Sequence, residues 1–300
     1  MFKQIFKAFL GWKIIIFLFS LLALKFIPFS SLEGFSHNYL ESYNYFLSIW
    51  ANFDGASYLN IAQNGYRYPL FAYFPLLPFL IALIHSLTKL PVLYAGLFIN
   101  NLSFLLGLCV FYKIVLLDFD QKIAWRSVFL LLLFPVSFFY GAIYTESLYF
   151  LFATLAFYFA RKEKWLPAGL FGFLAGLSRL VGVSLLIAFL VEWIGQNWSN
   201  FSNWRFSIQK FLRDRVFFIC LIPLAVIVYG IYLQFKFGDF FLFQKAMGHW
   251  QQADFVFPGV VFFRYLKILL TFKFEFVYFV ALLELVSFIF YFFLSLFTLF

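Results

Sequence analysis

Long apolar runs separated by short polar stretches fill the chain from end to end. Sustained hydrophobicity falls at about 14–28, 71–88, 92–117, 127–143, 147–160, 166–178, 180–194, 216–236, 256–272 and 276–300. Runs of this kind, without alternation and with few charges, read as bilayer helices. They predict an all-α fold: a polytopic integral membrane protein with about 9 transmembrane helices plus external juxtamembrane or re-entrant helices. Two local choices shape that topology. Pro75 and Pro78 break helical hydrogen bonding near the start of 71–88, so this segment is expected to dip in from one face. Segments 166–178 and 180–194 are each short for a hydrocarbon core of about 30 Å, and are expected to be two helices meeting at Arg179.

Composition agrees with the pattern. Of the 300 residues, 65% are hydrophobic and 12% charged, against about 25% charged in an ordinary soluble domain. A soluble fold cannot hide that much apolar surface. The 52 Phe are read as solvent matching to lipid, since Phe replaces Leu freely there. The formal charge of +9 suggests nucleic acid only until its distribution is considered. Lys3/Lys7/Lys13, Lys113/Lys122/Arg126, Arg161/Lys162/Lys164, Arg205/Lys210/Arg213/Arg215 and Lys267/Lys273 hold 15 of the 22 basic residues. All fall on one side if 71–88 dips, as the positive-inside rule expects for the cytoplasm. Cys109 and Cys220 both lie in apolar runs, which supports neither a disulfide framework nor a Cys metal site. The N-terminus has no small-residue cleavage site and favours a retained first span.

This topology leaves loop 29–91, the tip Tyr144–Ser147, the tip at Arg179 and loop 237–255 on the other face. No repeat, low-complexity linker or soluble domain is visible, so residues 1–300 form a single transmembrane domain. The chain stops at Phe300 in an uncharged run with no basic residue after it, the pattern of a C-terminally short member of a longer family.

Four stretches on the non-basic face carry candidate chemistry. Trp50-Ala51-Asn52-Phe53-Asp54-Gly55, running on to Ile61-Ala62-Gln63-Asn64-Gly65-Tyr66-Arg67 and Phe71-Ala72-Tyr73-Phe74-Pro75-Leu76-Leu77-Pro78, sets one carboxylate among aromatics. Alone, Asp54 also reads as a solvated loop acid or the N-cap of a helix. Tyr144-Thr145-Glu146-Ser147 ends a kinked span, and Glu146 alone also reads as a first-turn acid favoured by the helix dipole. Gly176-Leu177-Ser178-Arg179 puts a guanidinium between apolar runs, where an ionisable group by default marks a pathway or ligand; its planar fork suits phosphate. Finally, Lys245 precedes His249-Trp250, a pair that alone reads as interfacial packing. H-E-x-x-H, P-loop and G-x-G-x-x-G motifs are missing.

In this order, over residues 45 to 260, the four stretches resemble the GPI mannosyltransferase II (PIG-V) family and its bacterial relatives, members of the GT-C glycosyltransferases. The shared pattern is a W-x-x-[WF]-D-[AG] segment leading to I-A-x-x-G-Y and an F-F-P-x-x-P-like run, then Y-[ST]-E-[SA], then an Arg after a small-residue helix. Phe53 and Tyr73 stand where Trp and Phe are usual. The resemblance implies a GT-C-type bundle that transfers mannose or a similar hexose from a dolichol- or undecaprenyl-phosphate donor to a glycan or glycolipid hydroxyl, with inversion, on the non-cytoplasmic face of a bacterial plasma membrane or endoplasmic reticulum membrane.

Such chemistry needs a base for the attacking hydroxyl, for which Asp54 is the candidate. It also needs a cation for the departing lipid phosphate, for which Arg179 is the candidate, with Lys245 or Arg67 as second choices. Glu146 is expected to hold the acceptor or orient the donor sugar, and His249 and Trp250 to close over the site. No cofactor is implied; a divalent ion between Asp54 and Glu146 is conceivable but unsupported. The rival readings are a transporter or flippase for a lipid-linked or anionic solute, and a noncatalytic subunit that binds the lipid carrier.

Overall fold

The computed structural model describes residues 1–26, 45–197, 204–250, 256–271 and 276–297. They fall into two units, Met1–Ala246 and Met247–Phe300. Residues 29–44 of the expected external loop, and Lys273, lie outside the described residues.

The first unit is built from α1 (Phe2–Phe26), α2 (Asp54–Asn64), α3 (Leu76–Thr88), α4 (Val92–Val115), α5 (Gln121–Leu133), α6 (Glu146–Arg161), α7 (Trp165–Ser178), α8 (Leu185–Gln196), α9 (Trp204–Arg213) and α10 (Leu221–Phe237), with short 3-10 turns between several of them. No strand occurs among the described residues. The second unit holds the turn Gly248–Trp250 and two helices packed on each other, α11 (Pro258–Thr271) and α12 (Phe276–Phe297). Residues 2–23, 92–115 and 216–237 form helices long and apolar enough to cross a membrane.

Among the described residues these three helices do not confirm the expected count of about nine spans, and polar and proline breaks cut several of the apolar runs. The run 127–143 does not form one helix: α5 ends at Leu133, Pro135 interrupts it, and a 3-10 turn covers Ser137–Gly141. The run 71–88 likewise splits into the turn Leu70–Ala72 and α3; 13 residues rise only about 20 Å. At Arg179 the backbone is extended (φ −152°, ψ 142°), which separates α7 from Leu180–Ser184 and α8. The two-helix reading of this stretch holds.

Helix α6 packs along α4 on one side and α7 on the other, and α7 packs along α10. Small residues set these distances, as they do where helices have no water to exclude. Gly169, Gly172 and Gly176 form one face of α7 against Phe218, Ile222 and Ala225. A Cβ on Gly169 would fall 2.1 Å from the Phe218 carbonyl oxygen, a backbone atom that no rotamer change can move away. Gly169→Ala is therefore expected to cost at least about 1–3 kcal/mol, read as a lower unfolding midpoint in detergent; an unchanged midpoint would show that the α7–α10 spacing is not set here.

Each end of the α6–α7 hairpin carries one polar cluster. At the turn end, Arg161 Nη1 and Nη2 reach Asp118 at 2.8 and 2.6 Å, and its Nε reaches Glu192 at 3.1 Å. At the other end, Arg179 pairs with Glu146. Glu146 and Arg161 are the first and last of 16 helical residues, about 22 Å apart along the axis. The charged groups of the hairpin are thus sorted to opposite ends of an apolar layer.

Candidate active site

Asp54 opens α2. It is the first helical residue and not the N-cap: Phe53 occupies that position and makes no side-chain cap bond. The carboxylate instead accepts a hydrogen bond from the Tyr73 hydroxyl at 3.0 Å. Phe53 has φ 55° and ψ −118°, a conformation that disfavours a bulky side chain and clusters at functional positions. Its ring is exposed and lies beside Asp54 in the wall of the groove described below.

Backbone bonds stitch this segment to the tip before α6. Ile143 N donates to Trp50 O at 2.8 Å, and the Tyr144 hydroxyl to Asn52 O at 3.0 Å. Gly55 allows the approach, since a Cβ there would meet the Ile143 carbonyl at 3.0 Å. Asn100, fully buried in α4, donates its amide to the carbonyls of Ala142 and Tyr144. The tip then leads into Glu146, in the first turn of α6. Its Oε1 pairs with Arg179 Nη1, while its buried Oε2 has no hydrogen-bond partner among the described residues.

Asp54, Glu146 and Arg179 form one electrostatic unit. Tyr58, buried in α2, lies among all three charges and hydrogen-bonds with Thr145. Crowding by protein raises the Asp54 pKa above the ordinary carboxylate range, opposed by the Tyr73 hydrogen bond and the Arg179 charge. Burial pushes the Tyr73 hydroxyl up, and the Asp54 charge adds to it, so this phenol stays protonated and donates. A carboxylate whose proton affinity is raised by burial, held near a fixed cation, suits proton acceptance from a hydroxyl.

A groove of about 1110 Å³ runs along α1 and α5 to this site. Its apolar length is formed by residues such as Ile15, Phe19, Phe129 and Leu133, and Asn52, Asp54 and Tyr144 line it as well. Among the described residues no group of three or more His, Cys, Asp and Glu side chains comes together.

Four sequence candidates remain. Lys245 is in an exposed ion pair with Asp239, and Arg67 is exposed in the turn after α2. His249 and Trp250 belong to the second unit. Three contributors escaped the sequence reading. Tyr73 figured there only as a departure from Phe, and Tyr58 is one aromatic among many. Asn100-Asn101 did carry a readable signal: consecutive carboxamides inside an apolar span seldom occur without a partner to satisfy.

The chain matches the family profile described as Mannosyltransferase (PIG-V) over residues 5–239. No curated protein and no solved structure matches it.

Proposed function

The chain belongs to the PIG-V mannosyltransferase family, and from that premise we propose that it moves a mannosyl residue from a polyprenyl-phosphate carrier to an acceptor hydroxyl at Asp54. Membership and apolar helices of spanning length make it a membrane-embedded glycosyltransferase; the donor, the acceptor class and the mechanism are our reading. The observation that carries it is the groove. A long apolar channel with a carboxylate among its lining residues fits a substrate whose tail is an isoprenoid and whose head is a sugar phosphate.

In this reaction the acceptor O–H gives its proton to Asp54 while its oxygen forms a bond to the anomeric carbon. The bond from that carbon to the phosphate oxygen breaks, and its electron pair leaves with the polyprenyl phosphate. One displacement inverts the anomeric configuration. Tyr73 holds the Asp54 carboxylate in place. Arg179 faces the charge that develops on the leaving group, where a preplaced cation stabilises the transition state more than the ground state. Glu146 fixes the guanidinium. The non-cytoplasmic face is assigned because the Arg161 cluster lies at the opposite end of α6 from this site.

The test is transfer by purified protein in lipid nanodiscs, offered radiolabelled polyprenyl-phosphate mannose and a panel of glycolipid acceptors. A labelled product with the anomer opposite to the donor's is expected. Transfer from a water-soluble nucleotide sugar in place of the lipid donor, or retention of configuration, would overturn the reading.

A further inference from the structure

Lys13 lies ten residues into α1 from Lys3, about 15 Å further along the helix. The sequence groups it with Lys3 and Lys7; the structure gives it contacts of its own. Its Nζ donates to the Gly141 carbonyl at 3.2 Å and stands 4.2 Å from the centre of the Trp50 ring and 5.9 Å from that of Trp12. Lys13 thus reaches the segment that carries Asp54.

No carboxylate among the described residues pairs with this ammonium. The indole faces favour the charge without consuming a donor. One carbonyl takes one of its three N–H groups, which leaves two for an anion.

The position is built. One turn before Gly141, Trp12 Nε1 donates to Ser137 Oγ at 3.0 Å, and that hydroxyl donates to Leu132 O at 2.8 Å. A Cβ on Gly141 would lie 2.9 Å from Lys13 Nζ and 3.2 Å from the Trp12 ring, so a bare backbone at 141 is what lets the ammonium reach its carbonyl. Trp12, Trp50, Ser137 and Ala142 all line the groove. Next to Gly141, the Tyr140 phenol interacts with the charges of Glu146 and Arg179.

We propose that Lys13 is a second cation for the donor phosphate, acting from the α1 side of the groove in addition to Arg179. The proposal rests on the lipid-phosphate donor argued above. In the donor the phosphate is a diester with one negative charge; the released polyprenyl phosphate is a monoester carrying nearly two. A cation fixed beside it therefore binds the leaving group more strongly than the substrate, and so favours the transition state.

The experiment compares wild type, Lys13→Met, Lys13→Arg and Gly141→Ala, each as the full chain in nanodiscs. The readouts are kcat and KM for the lipid donor, KM for the acceptor, and inhibition by free polyprenyl phosphate. Lys13→Met is expected to lower kcat/KM for the donor by about 10²-fold and to weaken product inhibition more than it raises the donor KM, with the acceptor KM unmoved. Lys13→Arg recovers part of the loss. Gly141→Ala keeps the charge but displaces it, and weakens product inhibition in the same sense, which covers the case in which Lys13→Met does not fold. Unchanged product inhibition in folded Lys13→Met or in Gly141→Ala overturns the assignment. Binding of radiolabelled polyprenyl phosphate separates the two levels: a wild type that fails to bind it overturns the donor reading itself, whereas equal binding by wild type and Lys13→Met overturns Lys13 alone.

Discussion

Asp54→Asn is expected to lower kcat by about 10²–10⁴-fold, the range a positioned general base contributes, with the donor KM within a few-fold of wild type. The amide keeps the side-chain shape and an oxygen that can still accept from Tyr73, but it cannot take the acceptor's proton. The two side chains also differ in their linkage to folding. Burial raises the folded pKa of Asp54 above its unfolded value of about 3.9, so the folded chain binds this proton more tightly than the unfolded chain does. The resulting stability is fully present below the unfolded pKa and is lost as pH rises through the folded one. Asn carries no such cost at neutral pH. The variant should therefore unfold at a midpoint equal to or above that of wild type near pH 7, with the gap closing in acid. In the wild type, the acid limb of kcat/KM should lie above the ordinary carboxylate range. An Asp54→Asn protein with wild-type turnover would remove the base; one that is inactive because it is unfolded would make Asp54 a structural residue.

Much of the arrangement is legible in the letters because it depends on local features. The break at Arg179 is legible because a single helix through it would carry the basic loop 205–215 to the other face, against the positive-inside rule. The kink after Leu133 follows from Pro135, which lacks an N–H and clashes with the preceding turn. The family resemblance rests on ordered short motifs, and Asp54, Glu146 and Arg179 from those motifs come together in one electrostatic unit.

What the letters hide is contact between distant segments. Nothing local to Lys13 distinguishes it from Lys3 and Lys7, because its difference lies in Gly141 and Trp50, 128 and 37 positions away. Tyr73 is hidden for the same reason: a phenol that donates to Asp54 reads as one more aromatic until α2 and the turn before α3 are seen together. Helix count is obscured too, because windowed hydropathy averages across breaks that backbone geometry does not.

Arg179→Ala is expected to reduce kcat/KM for the lipid donor by about 10²–10³-fold, as loss of one preorganised group at a developing charge does, and to do so by two separable routes. The first is direct: the leaving phosphate loses a cation. The second acts through Asp54, because the Arg179 charge opposes the upward shift that burial imposes on its pKa. Without it the Asp54 pKa climbs further, and the acid limb of the pH–rate profile moves to higher pH. Lys13→Met has no such effect expected, since Arg179 and not Lys13 acts on the Asp54 charge, so the limb separates the two cations. Stability responds differently again. Arg179 and Glu146 side chains are 41% and 27% exposed, so breaking the pair should cost less than the roughly 3–5 kcal/mol of a fully buried one. Glu146→Gln in the Arg179→Ala background removes the stranded carboxylate and should restore most of that stability while leaving activity low. Recovery of both together would make the ion pair a folding device; a pH–rate profile unmoved in Arg179→Ala would separate Arg179 from the base and leave the groove as the sole link between the carboxylate and the lipid.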